Sequence, residues 1–233
     1  MEISHYMAMA RDLLEAAFPG RLVCLGLQGS YARGEATDRS DIDLVVILDR
    51  VELADVLIYR DILDRLPERE KSCGFFSGRE ELMAWDRGEL FQFYYDTRPY
   101  AGDLEFLRPL VGRDAAVDSA CAGAGAIYHG CVHNLLHTGS PELLGELYKS
   151  ALFVLRAAVV ARGGPWCPES RALEAHAAGA DQEILRRRQA LRAGKVLTRE
   201  ELVPWSRVLL AWAGGILREC PGCGKEDTDD SKP

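Results

Sequence analysis

Two carboxylates, Asp41 and Asp43, stand at the start of an apolar run that ends at Leu48. The run has the length and the β-branched content of a buried strand, and alternate residues of a strand point to the same face. The two carboxylates should therefore project together, with Ile42 and Leu44 facing the opposite way. Neighbouring anions repel unless a cation lies between them or one takes up a proton, and hard oxygen ligands suit Mg²⁺. The spacing predicts a magnesium site.

A glycine–serine pair stands ten residues ahead of these carboxylates, directly after a predicted strand over 22–28. Gly29 permits an unusual backbone angle and close approach of a ligand, and Ser30 adds a hydroxyl to backbone N–H groups that can hold an anion. Arg33 adds positive charge, as a phosphate contact or as a solvated loop residue, and Ser40 is placed to fix the approach of Asp41. The turn predicts a phosphate cradle beside the metal.

At Gly29, Ser30, Asp41 and Asp43 the chain resembles the DNA polymerase β-like nucleotidyltransferase superfamily, whose signature is Gly-Ser followed at this spacing by Asp-x-Asp. The resemblance implies an enzyme that moves a nucleoside monophosphate from an NTP, with ATP expected, to an acceptor. It also implies Mg²⁺ on the two aspartates and the triphosphate on the glycine–serine turn.

The resemblance further implies a third carboxylate on the next strand, as a metal ligand or general base. Residues 71–78, where that strand is expected, contain no Asp or Glu. Glu70 lies just before them and Asp96 ends the following predicted strand, so both are candidates, although an ordinary surface role is open for each. The gap leaves an alternative, a nucleotide-binding or antitoxin-like protein that has lost catalysis.

The first half of the chain alternates helical and strand patterns, which predicts a small mixed sheet with flanking helices. The predicted helices cover 4–17, 52–66 and 79–86, and the predicted strands cover 22–28, 41–48, 73–77 and 89–97. The helix over 4–17 is expected to face the core with Met9, Leu13, Leu14 and Ala17.

The second half shows helical patterns only, which predicts an all-helical bundle and the α+β class for the whole chain. The predicted helices cover 114–137, 141–162, 169–178, 181–193 and 198–219. We expect a nucleotidyltransferase domain over 1–110, a helical domain over 111–220 and a disordered tail over 221–233. This layout is similar to aminoglycoside nucleotidyltransferases, which implies a small hydroxylated acceptor of the aminoglycoside type and a homodimer.

Two groups of charged residues on the predicted helix 141–162 are candidates for the same reaction. Lys149 and Arg156 are seven residues apart and share a face, and related enzymes use a basic residue of the helical domain to contact the triphosphate. Lys149 is our candidate, with a snorkelling lysine at the core edge as the alternative. Glu142 and Glu146 are further candidates for the general base.

Three other patterns in the second half have weaker functional interpretations. His129, His133 and His137 recur every four residues and could hold a metal or line a pocket, but no acidic or thiol partner has ligand spacing, which favours packing or interface histidines. Cys220 and Cys223 lack the second pair that a structural zinc site needs. Arg171 and His176 have the Arg-x4-His spacing of helical ribonuclease toxins, a match we attribute to chance.

Composition limits the partners of this 233-residue chain. Its formal charge of −8 disfavours long nucleic acid, which needs a basic surface, and is compatible with a small cationic substrate. Three features predict a reduced, cytoplasmic protein that does not enter membranes. The seven cysteines have no regular framework, the N-terminus is an amphipathic helix instead of a signal peptide, and no apolar run reaches membrane length.

Overall fold

A computed structural model of the chain describes residues 2–38 and 40–220, and it divides the chain into two compact units, residues 1–115 and 116–233. The first unit contains a four-stranded sheet with helices on both faces, and its described elements follow in chain order. They are α1 (Ile3–Ala17), β1 (Leu22–Leu27), α2 (Gly29–Ala32), β2 (Ile42–Leu48), α3 (Leu53–Leu63), β3 (Ser72–Gly78), α4 (Arg79–Met83), α5 (Arg87–Asp96) and β4 (Arg98–Gly102), with 3₁₀ turns at Arg69–Lys71 and Glu105–Leu110.

The sheet has the strand order β3-β2-β1-β4, with β1 antiparallel to both β2 and β4, and β3 parallel to β2. Apart from Asp43, β2 is apolar and buried because both faces of this central strand are covered. On one face, Ile42, Leu44, Val46 and Leu48 join a cluster formed with α1 and α3. This core holds the start of β2 in a fixed position.

The buried face of α1 differs from the predicted one. Tyr6, Met7, Ala10 and Leu14 are buried, whereas the predicted core residue Ala17 is exposed. Leu14 is in the core and Met9 and Leu13 pack against it, so the predicted face is right for these three and wrong for Ala17. Tyr6, which the prediction left out, is a core residue in spite of its hydroxyl group. That hydroxyl lies 2.8 Å from the hydroxyl of Ser72. Tyr6 therefore keeps a hydrogen bond when it is buried.

The strand predicted over 89–97 is wrong, because these residues belong to helix α5. Asp86 starts the helix by accepting hydrogen bonds from the backbone N–H groups of Gly88 (2.8 Å) and Glu89 (3.2 Å). Aspartate is a preferred residue at this capping position. Leu90 and Phe93 are then buried on one side of the helix. The aromatic residues of this segment favour strands by propensity, and packing overrides that preference. The fourth strand is β4, directly after the helix.

The described part of the second unit, 116–220, contains helices and no strand, and so the predicted α+β class is confirmed. The helices are α6 (Arg113–His133), which continues as a π-helical turn at Asn134–Thr138, then α7 (Pro141–Ala161), α8 (Ser170–Glu174), α9 (Ala180–Arg192) and α10 (Leu202–Glu219). Ser140 caps α7 by accepting from the N–H of Leu143 at 3.0 Å, as serine commonly does at a helix start.

A disulfide joins Cys121 in α6 to Cys220 at the end of α10, across 99 residues of sequence. The expectation of reduced cysteines is therefore wrong for this pair. Sequence spacing could not reveal it, because the partners meet only after the helices pack. Four described cysteines remain free thiols. Cys223 and the tail predicted over 221–233 lie outside the described residues.

None of the helices in the described ranges combines the length and the apolar character that crossing a bilayer requires.

Candidate active site

The candidate residues of the first unit meet at one edge of the sheet. β1 ends at this edge, and its antiparallel neighbours β2 and β4 begin there; β3 begins there too because it runs parallel to β2. The edge therefore gathers the turn after β1, the two aspartates at the start of β2, and the segments that lead into β3 and β4. Strand topology thus joins residues that are far apart in the sequence.

The carboxylates of β2 differ in their exposure. Asp43 is half-buried within the strand, and Asp41, directly before the strand, is exposed. Ile42 and Leu44 are fully buried in the core of the opposite face. The alternation of a strand thus directs Asp43 to the face that also carries Val45.

The glycine–serine turn lies against the second of these carboxylates. Gly29 has a φ of +64°, and a Cβ built on it would overlap Oδ2 of Asp43. This φ is a left-handed value that favours glycine. The N–H of Gln28 donates to the carbonyl of Asp43 at 2.9 Å, which holds the two strand ends together. The absence of a side chain on Gly29 lets the Asp43 carboxylate lie directly against the backbone of the turn. Ser30 follows in the first turn of α2.

Asp96 reaches the same turn from the end of α5. Its Oδ1 accepts a hydrogen bond from Nη1 of Arg33 at 2.7 Å, and its Oδ2 accepts a long one from the N–H of Gly29 at 3.4 Å. The side chains of Asp96 and Arg33 are each only 13% exposed. The structure therefore brings together Gly29, Arg33, Asp43 and Asp96, although Asp96 ends a helix and not the strand that the sequence predicted.

A second contact to α5 was missed by the sequence analysis. Nε2 of Gln28 donates to Oγ1 of Thr97 at 2.8 Å and to the carbonyl of Phe93 at 3.3 Å. Gln28 and Asp96 thus attach both sides of the turn to the C-terminal end of α5. A polar residue at the end of the apolar run 22–28 was the available signal.

Glu70 and Ser40 occupy other positions at this edge. Glu70 is exposed in the 3₁₀ turn before β3, which lies beyond β2 from the glycine–serine turn. Ser40 and Thr37 exchange hydrogen bonds, with the N–H of Thr37 donating to Oγ of Ser40 and the N–H of Ser40 donating to the carbonyl of Thr37, both at 2.9 Å. Ser40 thereby closes the loop that leads into Asp41.

A lysine that the sequence analysis did not consider also lies at this edge. Lys71 directly precedes β3, and its ammonium group pairs with Glu68 at 2.7 Å. Its hydrogen bond with Glu68 raises the pKa of Lys71, so the group is positively charged at neutral pH. The edge therefore presents Lys71 as a cation beside its acidic residues.

Among the described residues, no group of three or more His, Cys, Asp or Glu side chains is arranged to hold a metal ion. The metal-binding capacity of the sheet edge therefore rests on two carboxylates. Mg²⁺ commonly takes one or two carboxylates from the protein and completes its octahedral shell with water and substrate phosphates, so this pair fits the ion.

The candidates of the helical unit lie around a cavity of about 230 Å³ between α7 and the end of α9. Lys149 lines this cavity and pairs with Glu146 at 3.4 Å; Glu142 also lines it. Arg156, expected on the same face as Lys149, is instead buried and donates to the carbonyls of Cys167 (3.2 Å) and Pro168 (2.7 Å). Arg156 thus supports the loop after α7.

The weaker motifs of the second half have clear positions. His129, His133 and His137 are all exposed, along the end of α6 and the π-helical turn after it, so they are not packing residues, and their interpretation as interface residues stays a prediction. The predicted longer helix over 169–178 is the short α8, which contains Arg171 and ends at Glu174, before His176. The two residues of the ribonuclease-like spacing therefore do not share a helix.

Residues 11–98 match a family model described as a nucleotidyltransferase domain. The match runs from α1 into β4 and includes the glycine–serine turn, both aspartates of β2 and Asp96. The resemblance to nucleotidyltransferases predicted from Gly-Ser and Asp-x-Asp is therefore confirmed over these residues. No curated protein matches the sequence significantly.

The fold is also similar to that of the spectinomycin adenyltransferase AAD(9) from Enterococcus faecialis, whose crystal structure contains ATP and spectinomycin. The two structures superpose with a TM-score of 0.55 at 11% sequence identity, over 92% of this chain and 99% of that one. At this level of identity the likeness shows a shared fold, a sheet-containing unit followed by a helical one.

Proposed function

We propose that the protein is a Mg²⁺-dependent nucleotidyltransferase that moves a nucleoside monophosphate from ATP to a hydroxyl group of a small acceptor of the aminoglycoside type. The observation that carries the proposal is the contact between the backbone of Gly29 and the Asp43 carboxylate. Asp41 lies two residues before Asp43 in the sequence. A phosphate on the turn and a cation on the carboxylates would meet at that contact.

Asp41 and Asp43 would hold the magnesium. The bound ion would supply charge neutralisation at the phosphate and a template for the attacking and leaving oxygens. Asp43 is held by its strand and by the backbone hydrogen bond from Gln28, so its carboxylate is positioned before any ligand binds. Asp41, at the exposed end, leaves its side open to solvent and to substrate.

Gly29 and Ser30 would bind the triphosphate, and Ser40 would order the loop that carries Asp41. Arg33 is adjacent to this turn, and its Nη1 is directed to Asp96. Because Asp96 contacts both Arg33 and the N–H of Gly29, we assign it a positioning role. It orients a phosphate-binding cation and the glycine turn, and both of its carboxylate oxygens are engaged, which disfavours a general base.

The similar structure supports the proposed class of acceptor. It is a spectinomycin adenyltransferase that was crystallised with ATP and spectinomycin. The formal charge of −8 is compatible with a cationic small molecule and does not select one. Lys149 is retained as a candidate triphosphate contact and Glu70, Glu142 and Glu146 as candidate bases. A homodimer and a cytoplasmic location, both expected from the sequence, complete the proposal. The Cys121–Cys220 disulfide is an observation against that location, since disulfides are rare in reducing compartments.

The test is pyrophosphate release with Mg-ATP and a panel of aminoglycosides and aminocyclitols, followed by mass spectrometry of the acceptor. The active combination should add one adenylate and should require Mg²⁺. Asp41→Asn should remove turnover while its melting temperature stays close to that of the wild type. Asp38→Asn changes an exposed carboxylate of the preceding loop and should retain turnover. Turnover by Asp41→Asn at the wild-type rate would contradict the proposed site.

A second candidate is a nucleotide-binding protein without catalysis. It is favoured by the absence of a carboxylate from residues 71–78 and by the engagement of Asp96 with Arg33. Calorimetry distinguishes the two functions. Binding of Mg-ATP without pyrophosphate release from any acceptor would favour this second candidate, and the absence of both would exclude the two together.

A further inference from the structure

Three histidines lie in a row along the exposed side of the α6 C-terminus, but their spacing is uneven. The ring centroids of His129 and His133 are 6.2 Å apart, and those of His133 and His137 are 4.8 Å apart. Four residues of α-helix rise about 6 Å, which accounts for the first distance. The second pair spans the π-helical turn Asn134–Thr138, where each residue advances less along the axis.

The π-helical turn is fixed by Asn134. This buried side chain donates from Nδ2 to the carbonyl of Ser140 at 2.8 Å and accepts from the N–H of Ser140 at 2.9 Å. The N–H of Gly139 donates to the carbonyl of Asn134 at 2.7 Å and closes the wide turn. These hydrogen bonds hold the backbone turn that lies between His133 and His137.

The shorter distance fits a shared metal ion. Two imidazole nitrogens that bind one ion at about 2.0–2.1 Å place their ring centroids roughly 4.5–5.2 Å apart for angles of about 90–110° at the metal. The 4.8 Å between His133 and His137 lies inside this range, and the 6.2 Å between His129 and His133 lies outside it. Of the two pairs, His133 and His137 therefore have the centroid separation that chelation at these angles requires.

We propose that His133 and His137 form a two-histidine site for a late first-row divalent metal such as Ni²⁺, Cu²⁺ or Zn²⁺. Imidazole nitrogen suits these ions better than it suits Mg²⁺. Both rings are exposed, so solvent can supply the remaining ligands. Because the described residues hold no group of three or more metal-ligating side chains, the site has two protein ligands and an open coordination shell.

The site is tested by isothermal titration of the full chain with NiCl₂. The wild type should bind one Ni²⁺ at this site, and His133→Ala and His137→Ala should each weaken that binding at least tenfold. His129→Ala is the matched control from the same helix face and should change the affinity less than twofold. The double variant Asp41→Asn, Asp43→Asn should bind this Ni²⁺ as the wild type does, which separates the site from the sheet edge.

A spectroscopic measurement identifies the ligands independently of affinity. Electron paramagnetic resonance of the one-to-one Cu²⁺ complex should show two coordinated nitrogens in the wild type and one in His137→Ala. Unchanged Ni²⁺ affinity in His133→Ala or His137→Ala would overturn the proposal. An equal loss in all three single variants would also overturn it, because the ion would then not be held by the close pair alone.

Discussion

The backbone of Gly29 lies directly against the carboxylate of Asp43, so that a methyl group on Gly29 would occupy the space of Oδ2. The antiparallel strands β1 and β2 thereby bring the left-handed turn and the carboxylate of Asp43 to the same point. The contact has two consequences. The turn must keep glycine for steric reasons as well as for its φ of +64°, a backbone angle that glycine adopts without strain. A ligand bound at Oδ2 of Asp43 would also lie beside the turn.

Gly29→Ala should therefore damage ligand binding more than folding. An alanine in a left-handed conformation costs about 1–2 kcal/mol, and its methyl group would also displace the Asp43 carboxylate. Gly20→Ala is the matched control, since Gly20 has a φ of +72° and no atom within 4 Å of the added Cβ. Both variants should melt at a lower temperature, but only Gly29→Ala should weaken Mg-ATP binding, by tenfold or more in calorimetry. Equal Mg-ATP affinities for the two variants would count against the shared site.

The sheet edge could be predicted in part because its signals are local. Gly29 and Ser30 follow an apolar strand, and Asp41 and Asp43 open another, so motif and strand alternation together locate the phosphate and metal candidates. The third acidic partner could not be located in this way. Asp96 depends on the direction of α5 and on the pairing of β4 with β1, which are tertiary features.

The two wrong predictions, the strand over 89–97 and the reduced state of all cysteines, have a common physical cause, which is packing. Phe91, Phe93 and Tyr95 alternate as they would in a strand, which their propensity also favours. The Asp86 cap and the burial of Phe93 against Phe75, with ring centroids 4.8 Å apart, select the helix instead. The Cys121–Cys220 pair likewise depends on the packing of α6 and α10 and has no signal in its 99-residue separation.

Asp96→Asn distinguishes a positioning residue from a general base. The amide keeps the shape of the side chain but loses the charge that orients Arg33, so KM for ATP should rise roughly tenfold while kcat changes little. Loss of a general base would instead lower kcat by a factor of about 10²–10⁴. It would also remove the acidic limb from the pH profile of kcat. Steady-state kinetics from pH 5 to 9 tell the two apart.

Glu105→Gln provides the control for Asp96→Asn. It breaks an ion pair between an arginine and a carboxylate in the same unit, Arg108–Glu105 at 3.2 Å, where both side chains are more than half exposed. An exposed pair of this kind contributes little, so KM and kcat should match the wild type. If Asp96→Asn also matches the wild type in both constants, Asp96 has neither role.

Asp55 should make the first unit sensitive to acid. Its carboxylate accepts hydrogen bonds from Nη1 (2.8 Å) and Nη2 (2.9 Å) of Arg21 and from the N–H of Glu52 (2.9 Å), and the Arg21 contact chiefly lowers the pKa of Asp55 to about 2. The pKa of Asp55 in the folded protein lies below the unfolded value of about 3.9. Its contribution to the free energy of unfolding is therefore complete above that pH and is lost as the pH falls towards the folded pKa.

Asp55→Asn should accordingly lower the melting temperature at pH 7 by roughly 4–8 °C, with a difference from the wild type that shrinks between pH 5 and pH 2.5. Asp61→Asn, on the same helix α3, removes an exposed pair with Arg60 and should have little effect at either pH. Thermal unfolding followed by circular dichroism measures both variants. A difference in melting temperature between Asp55→Asn and the wild type that stays constant from pH 5 to pH 2.5 would show that the Asp55 carboxylate does not cause the acid sensitivity.

Reduction of the Cys121–Cys220 disulfide should destabilise the helical unit. Closing a loop of this length restricts the unfolded chain by roughly 4–5 kcal/mol in the entropy model, which sets an upper figure for the loss. Thermal unfolding with and without a phosphine reductant should show a lower midpoint after reduction. Cys121→Ser should already have that lower midpoint and should no longer respond to the reductant. Cys73→Ser removes an exposed free thiol of the first unit and should respond as the wild type does. A wild-type midpoint unaffected by complete reduction would show that the α10 end is held to α6 by packing alone.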